Sequence, residues 1–187
     1  MGAARAAAVA LLAAAAQAAV IDRVAVVVGN TVITETEVQR EVRLTEFLNG
    51  QPLDLGPKER RAAAERMVDQ QLIRNEMENG GYTMPAAAEG PEMLRDFRRR
   101  HYASEAALRA ALHKYGITEE ELQQHLLWEA AALRFTDQRF QPGAPETPGA
   151  NRMQEGAAGN GVDEQLDRWL KEQRSNTRIE FKPGAFR

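Results

Sequence analysis

Residues 22–38, with the sequence DRVAVVVGNTVITETEV, decide how the rest of the chain folds. Two runs of β-branched residues flank Gly29-Asn30, a pair suited to a two-residue turn, so the stretch predicts a β-hairpin. Thr34 and Glu37 have the spacing of a capping box, which predicts a helix directly after the second strand. Because an isolated hairpin is marginal in water, we expect a third strand and a covering layer of helices.

The third strand is predicted at the other end of the chain. Residues 178–182 alternate strictly between polar and apolar side chains, as an edge strand does, and residues 162–173 before them follow helical spacing with one apolar stripe. The first strand, residues 24–28, is apolar on both faces, which is typical of a central strand. We therefore expect the C-terminus to return and pair with the N-terminal hairpin. Ile179 and Phe181 should then face the core together.

Residues 35–140 between these ends are predicted to be mostly helical, so the fold class is mainly α with a small three-stranded β-sheet. Helix boundaries are expected at about 35–48, 58–79, 91–101, 104–115 and 118–140. The second of these helices is apolar on two sides, which indicates a helix in the middle of a bundle.

The last helix of this region also carries two apolar stripes on nearly opposite sides. One stripe is Leu122, Leu126, Ala130 and Leu133, and the other is Trp128, Ala131 and Phe135.

Two further segments differ in composition from the predicted core, which is 19–140 plus 162–187. Residues 1–18 combine Arg5, an apolar run and Ala16-Gln17-Ala18, the three parts of a secretory signal peptide. An uncleaved membrane anchor is the alternative, although the run is shorter than the roughly 20 apolar residues of a spanning helix. Residues 141–161 are rich in Pro and Gly without periodicity, which predicts a flexible linker. We expect a soluble, exported mature protein without a stable membrane span.

The chain resembles the core of the SurA-type periplasmic chaperones. The resemblance lies in the strand, turn, strand and capped helix of residues 22–38, in Met67–Ile73, in Tyr115–Leu122 and in the closing helix and strand from Trp169 to Phe181. It implies a periplasmic module that binds unfolded outer-membrane proteins without ATP. The family usually carries parvulin-type isomerase domains before the closing helix. Only residues 141–161 occupy that place here, so we expect no proline isomerase activity.

The composition offers little for catalysis or for metal binding. Cysteine is absent, and His101, His113 and His125 lie on three predicted segments without metal-ligand spacing. We therefore expect no catalytic residues, no metal and no cofactor. The net charge of −3 shows no basic excess, so nucleic acid is not an expected partner. The run from Arg98 to His101 is either a solvated helix end or a contact for an acidic client or lipid headgroup.

Three aromatic residues are the candidates for client binding: Trp128, Phe135 and Trp169. Aromatic residues at helical spacing usually belong to a core. The functional alternative is a groove, lined by Trp128 and Phe135 against the returning helix, that receives extended apolar segments.

The resemblance, taken together with the sequence patterns, leads us to expect one of two functions. The first is an exported, ATP-independent chaperone or client-binding module for unfolded envelope proteins. The second is an exported assembly subunit that binds one specific folded partner. A homodimer formed by exchange of the C-terminal segment between two chains is also possible, because only the predicted linker tethers that segment.

Overall fold

The computed structural model describes residues 22–140 and 160–187; the predicted signal segment and most of the predicted linker lie outside these ranges. The described chain is mainly helical with a small three-stranded antiparallel sheet, which confirms the predicted fold class. No helix in the described ranges is both long enough and apolar enough to cross a membrane.

The sheet joins the two ends of the chain as predicted. Its strands are β1 (Val24–Val28), β2 (Thr31–Thr34) and β3 (Ile179–Phe181), and β1 lies in the centre with an antiparallel neighbour on each side. Gly29 has a φ of +58°, a left-handed conformation that glycine adopts at no steric cost, and this permits the tight turn between β1 and β2.

Helix α1 (Glu35–Asn49) begins at the predicted capping box. The Thr34 hydroxyl accepts a hydrogen bond from the Glu37 backbone N–H at 3.3 Å, and the Glu37 carboxylate accepts one from the Thr34 backbone N–H at 2.8 Å. These two bonds satisfy donors that a helix N-terminus otherwise leaves free, so they fix the angle at which α1 leaves the sheet.

The remaining helices follow the predicted order. They are α2 (Pro57–Gly80), α3 (Gly90–His101), α4 (Glu105–Tyr115), α5 (Glu119–Phe140) and α6 (Asn160–Asn176). Helix α6 begins two residues earlier than the sequence predicts, inside the last part of the predicted linker. Short 3-10 turns cover Ala87–Glu89 and Pro183–Phe186, and the second of them follows β3.

The apolar side chains form three clusters rather than one continuous core. The sheet cluster contains residues of β1, β2, α1 and α2, including Val26, Val38 and Val68. The outer cluster contains residues of α1, α3, α4 and the start of α5, including Phe47 and Leu122. The aromatic cluster consists of Ile73, Met77, Trp128, Ala131, Phe135 and Trp169.

Helix α2 lies between two of these clusters, as its two-sided pattern predicts. Ala64, Val68 and Leu72 belong to the sheet cluster, whereas Ile73 and Met77 belong to the aromatic cluster. The helix therefore connects the sheet to the part of the molecule where α5 and α6 pack.

The predicted stripe on α5 is not buried along its whole length. Leu122 is fully buried in the outer cluster and Leu126 packs against it, but 63% of the Leu133 surface is exposed. The apolar residues of the outer cluster end at Leu126; Ala130, one turn farther along, is partly buried, and Leu133 lies on the surface of the described part of the chain. Helical spacing indicates which side chains share a face, but not how far the neighbouring helices extend.

Polar contacts attach the C-terminal segment to α2. The Arg60 guanidinium donates to the backbone oxygens of Ala185 at 2.9 Å and Arg187 at 2.7 Å. The Arg61 guanidinium lies 3.5 Å from the centre of the Phe181 ring. Ile179 and Phe181 both pack against the sheet cluster, as the alternation predicts.

Candidate functional site

The three candidate aromatic residues meet where α2, α5 and α6 pack together. The ring centres of Phe135 and Trp169 lie 5.5 Å apart, and Tyr82 meets Phe135 edge-on at 5.1 Å. Phe140, the last residue of α5, contacts both rings, at 5.9 Å from Phe135 and 6.4 Å from Trp169. The aromatic cluster is thus continuous from α5 to α6.

All three candidates are buried in this conformation. The exposed fractions are 9% for Trp128, 0% for Phe135 and 7% for Trp169. The expected open groove lined by Trp128 and Phe135 is therefore absent from the described conformation, because Phe135 is enclosed by Tyr82, Phe140 and Trp169. These burial values agree with the interpretation of the three residues as core.

Helix α6 covers the aromatic cluster with a single buried side chain. Between 161 and 176 only Trp169 is buried, while Leu166 and Leu170 are half-buried beside the cluster. The indole N–H of Trp169 is buried, and it has no hydrogen-bond partner among the described residues. An unpaired buried donor costs free energy, so this helix is held less firmly than its aromatic contacts alone imply.

Charged side chains surround the aromatic cluster and pair with one another. The Arg139 guanidinium donates to a Glu76 carboxylate oxygen at 2.5 Å and to the Tyr82 hydroxyl at 3.0 Å, and it lies 5.3 Å from the Trp169 ring centre. The Arg134 guanidinium donates to Glu89 at 2.8 Å, and this hydrogen bond lowers the pKa of Glu89.

One arginine of α6 forms the main polar contact with α2. The Arg174 guanidinium donates to Asp69 at 2.7 Å and to Glu65 at 2.9 Å. The hydrogen bond to Asp69, followed by the bond to Glu65, raises the pKa of Arg174, although burial opposes the change. Burial raises the pKa of Glu65, but hydrogen bonds from Arg174 and Arg61 lower it further, so the pKa lies below its ordinary value.

A second arginine links the aromatic cluster to the sheet, and the sequence analysis did not identify it. The Arg74 guanidinium stacks over the Trp128 ring at 4.0 Å from its centre. Burial lowers the pKa of Arg74 despite the charges of Glu78 and Glu41. Arg74 also lines a cleft of about 220 Å³ between α2 and β2, together with Val32, Gln71 and Met67. The spacing of apolar residues within one helix cannot predict this contact, because Arg74 and Trp128 lie on different helices.

His125 and the basic run have ordinary local partners. His125 lies 3.1 Å from the Glu129 carboxylate, and this hydrogen bond lowers the pKa of Glu129. In the basic run, Arg98 contacts Glu105 and Arg99 contacts Asp96, which supports the solvated helix end. Within residues 22–140 and 160–187, no three His, Asp or Glu side chains come together as metal ligands would.

Comparison with known proteins assigns no family to the chain. No family model matches the chain, and no curated protein matches it.

Proposed function

We propose that the chain is an exported, ATP-independent chaperone or client-binding module that holds extended apolar segments of unfolded envelope proteins. The client would bind at the aromatic cluster after α6 moves aside. The proposal assigns no isomerase activity to the chain.

The observation that carries this proposal is the way α6 covers the cluster. One buried indole, two half-buried leucines and one group of ion pairs hold a helix of four to five turns over Trp128, Phe135, Ile73 and Met77. Displacing α6 would uncover a large aromatic surface on α5 and α2, and such a surface is what an unfolded chain with apolar side chains can bind.

Displacing α6 gives up the burial of Trp169, the partial burial of Leu166 and Leu170, and the ion pairs of Arg174. Since burial of one large apolar side chain stabilises by about 1.5 to 3 kcal/mol, a client has to bury several such side chains to replace these contacts. The methionine Met77 and the flat rings adapt to different partners, which favours broad selectivity and modest affinity.

The resemblance to the SurA-type core supports the same function from another direction. The resemblance implies that a C-terminal helix and strand close the core, and here α6 and β3 return to the N-terminal hairpin. The paired charges around the cluster, such as Arg139 with Glu76, would keep the rim of an opened site hydrated.

The test is an aggregation assay with the protein lacking residues 1–18. We expect it to slow the aggregation of an unfolded outer-membrane β-barrel, and of at least two unrelated unfolded proteins, without ATP. Failure to protect any of them contradicts the proposal. Recovery of a single folded partner at fixed stoichiometry in a crosslinking pull-down from intact cells would instead support the assembly subunit.

A further inference from the structure

The outer edge of β2 is free of any strand among the described residues, since the sheet order is β2-β1-β3. The Gly29 backbone N–H donates to the Arg178 carbonyl oxygen, on the β3 side of β1. Successive residues of a strand direct their backbone groups to opposite sides, so Val28 pairs with Thr31 of β2 on the other side. Val32 follows Thr31 and must turn its own N–H and C=O toward the free edge. Its surface is 46% exposed.

The free edge does not face open solvent alone, because α2 extends beside it. The cleft of about 220 Å³ lies between Val32 and Ile33 on one side and Met67, Gln71 and Arg74 on the other, and Glu37 also lines it. The Glu37 carboxylate already accepts hydrogen bonds from the backbone N–H and the hydroxyl of Thr34. It has the shape that strand addition requires, namely an exposed backbone edge beside a side-chain pocket.

Arg74 gives the cleft its chemical preference. No described side chain forms a hydrogen bond or an ion pair with its guanidinium, whereas many other arginines of the described chain, such as Arg139 and Arg174, contact carboxylates. Stacking on Trp128 holds the guanidinium plane in place, which leaves its N–H donors available at the cleft. A planar, pre-oriented guanidinium favours a carboxylate, which it can bind through two hydrogen bonds.

We infer that this cleft binds an extended peptide segment that adds to β2 as a further strand and places a carboxylate on Arg74. The carboxylate is an acidic side chain or a C-terminal carboxylate, because both present the same two oxygens. The inference rests on the proposed function only in taking an extended polypeptide as the partner. The cleft lies beside the aromatic cluster and shares Trp128 with it, and Trp128 acts here as a positioning residue beneath Arg74.

The probe is a dye-labelled, amidated hexapeptide of alternating threonine and valine with one glutamate, compared with the same peptide carrying glutamine. A third peptide carries glutamine and a free C-terminal carboxylate, which separates the two sources of the charge. We expect at least one carboxylate peptide to bind the wild type roughly tenfold or more tightly than the uncharged peptide, as a hydrogen bond to a charged group implies. Equal fluorescence anisotropy curves for all three peptides would overturn the inference without any variant.

Two substitutions then locate the site. Arg74→Gln should remove the preference for the carboxylate peptide, while Arg23→Gln, which removes the same charge from a highly exposed arginine near the sheet, should not.

Val32→Pro should abolish strand addition and leave the β1–β2 ladder intact, because only an outward N–H is lost. Slower amide hydrogen exchange at Val32 in the wild type on peptide binding supports the same geometry. An Arg74→Gln protein that melts like the wild type and keeps the full preference contradicts it.

The aggregation assay separates this inference from the proposed function. If the wild type suppresses aggregation but does not distinguish the peptides, the cleft assignment is wrong and the proposed function stands. If it binds the carboxylate peptide but protects no client, the proposed function is wrong and the cleft assignment stands.

Discussion

Phe135 and Leu133 lie two positions apart on α5 but differ in exposure to solvent. Phe135 has no exposed surface, whereas Leu133 is 63% exposed. Phe135→Ala should lower the free energy of unfolding by about 3 to 5 kcal/mol, because it removes a buried ring and leaves a cavity. Urea unfolding measures this change.

Leu133→Ala is the matched control on the same helix. It should change the free energy of unfolding by about 0.5 kcal/mol or less, as surface substitutions usually do. Equal destabilisation by the two substitutions would contradict the packing of α5 described above.

Residue-level signals predicted the hairpin and its cap but not the contacts between distant elements. The Gly29-Asn30 turn and the Thr34–Glu37 box are local, so the bonding pattern follows from residues three positions apart. Arg74 on Trp128 joins residues that are far apart in the chain. No spacing rule within one helix predicts that contact, and the cleft beside β2 depends on it.

At the scale of one element, the attachment of α6 to α2 should depend on pH. The pKa of Glu65 lies below its ordinary value of 4.5, so its pairing with Arg174 adds stability above that pH. That contribution disappears as the pH falls through the lowered value, where the folded protein takes up the proton.

Arg174→Gln should therefore cost stability near neutral pH and cost little in acid. We expect a loss of about 1 to 2 kcal/mol near neutral pH, since the pairs are charge-assisted but partly exposed to solvent. Arg168→Gln, an exposed charge on the same helix, serves as the control. Urea unfolding of both variants at neutral pH and well below pH 4.5 gives the comparison; a constant difference across that range contradicts the role of Glu65.

The returning helix and strand should matter to the stability of the N-terminal hairpin. Deleting residues 162–187 removes β3 from β1 together with Trp169, Ile179 and Phe181, and it exposes the edge of the central strand. We expect a loss of several kcal/mol, comparable with the loss of several buried side chains. A truncated protein with the thermal melt of the full chain would show that the two ends do not share one fold.

The return of β3 was predictable because strict alternation in residues 178–182 marks an edge strand. The 3-10 turn at Pro183–Phe186 was not predictable, because it depends on tertiary hydrogen bonds from Arg60 to Ala185 and Arg187. Proline and glycine in that turn indicated a break and carried no sign of the buried Ala185.

At the scale of the whole molecule, the same C-terminal segment could pair with a second chain. Exchange would preserve each contact of α6 and β3 but form it between two copies. Two variants, Asp69→Cys in one chain and Arg174→Cys in the other, test this hypothesis after unfolding and refolding together, because the native chain has no cysteine. A bismaleimide should join the two variants if exchange occurs; only unjoined chains at high protein concentration would contradict exchange.

Displacement of α6 by a client is tested most directly with both substitutions in one chain. In the Asp69→Cys/Arg174→Cys protein, a short bismaleimide would tie α6 to α2 at the position of the Arg174–Asp69 ion pair. A link within α2, in the Lys58→Cys/Ala62→Cys protein, is the control because those residues are one turn apart on one helix and neither is a partner of Arg174.

The measurement is suppression of outer-membrane protein aggregation before and after crosslinking. We predict that the α2–α6 link abolishes suppression, since Phe135 stays covered, while the link within α2 leaves it unchanged. Full suppression by the protein with α6 tied down would contradict client binding at the aromatic cluster.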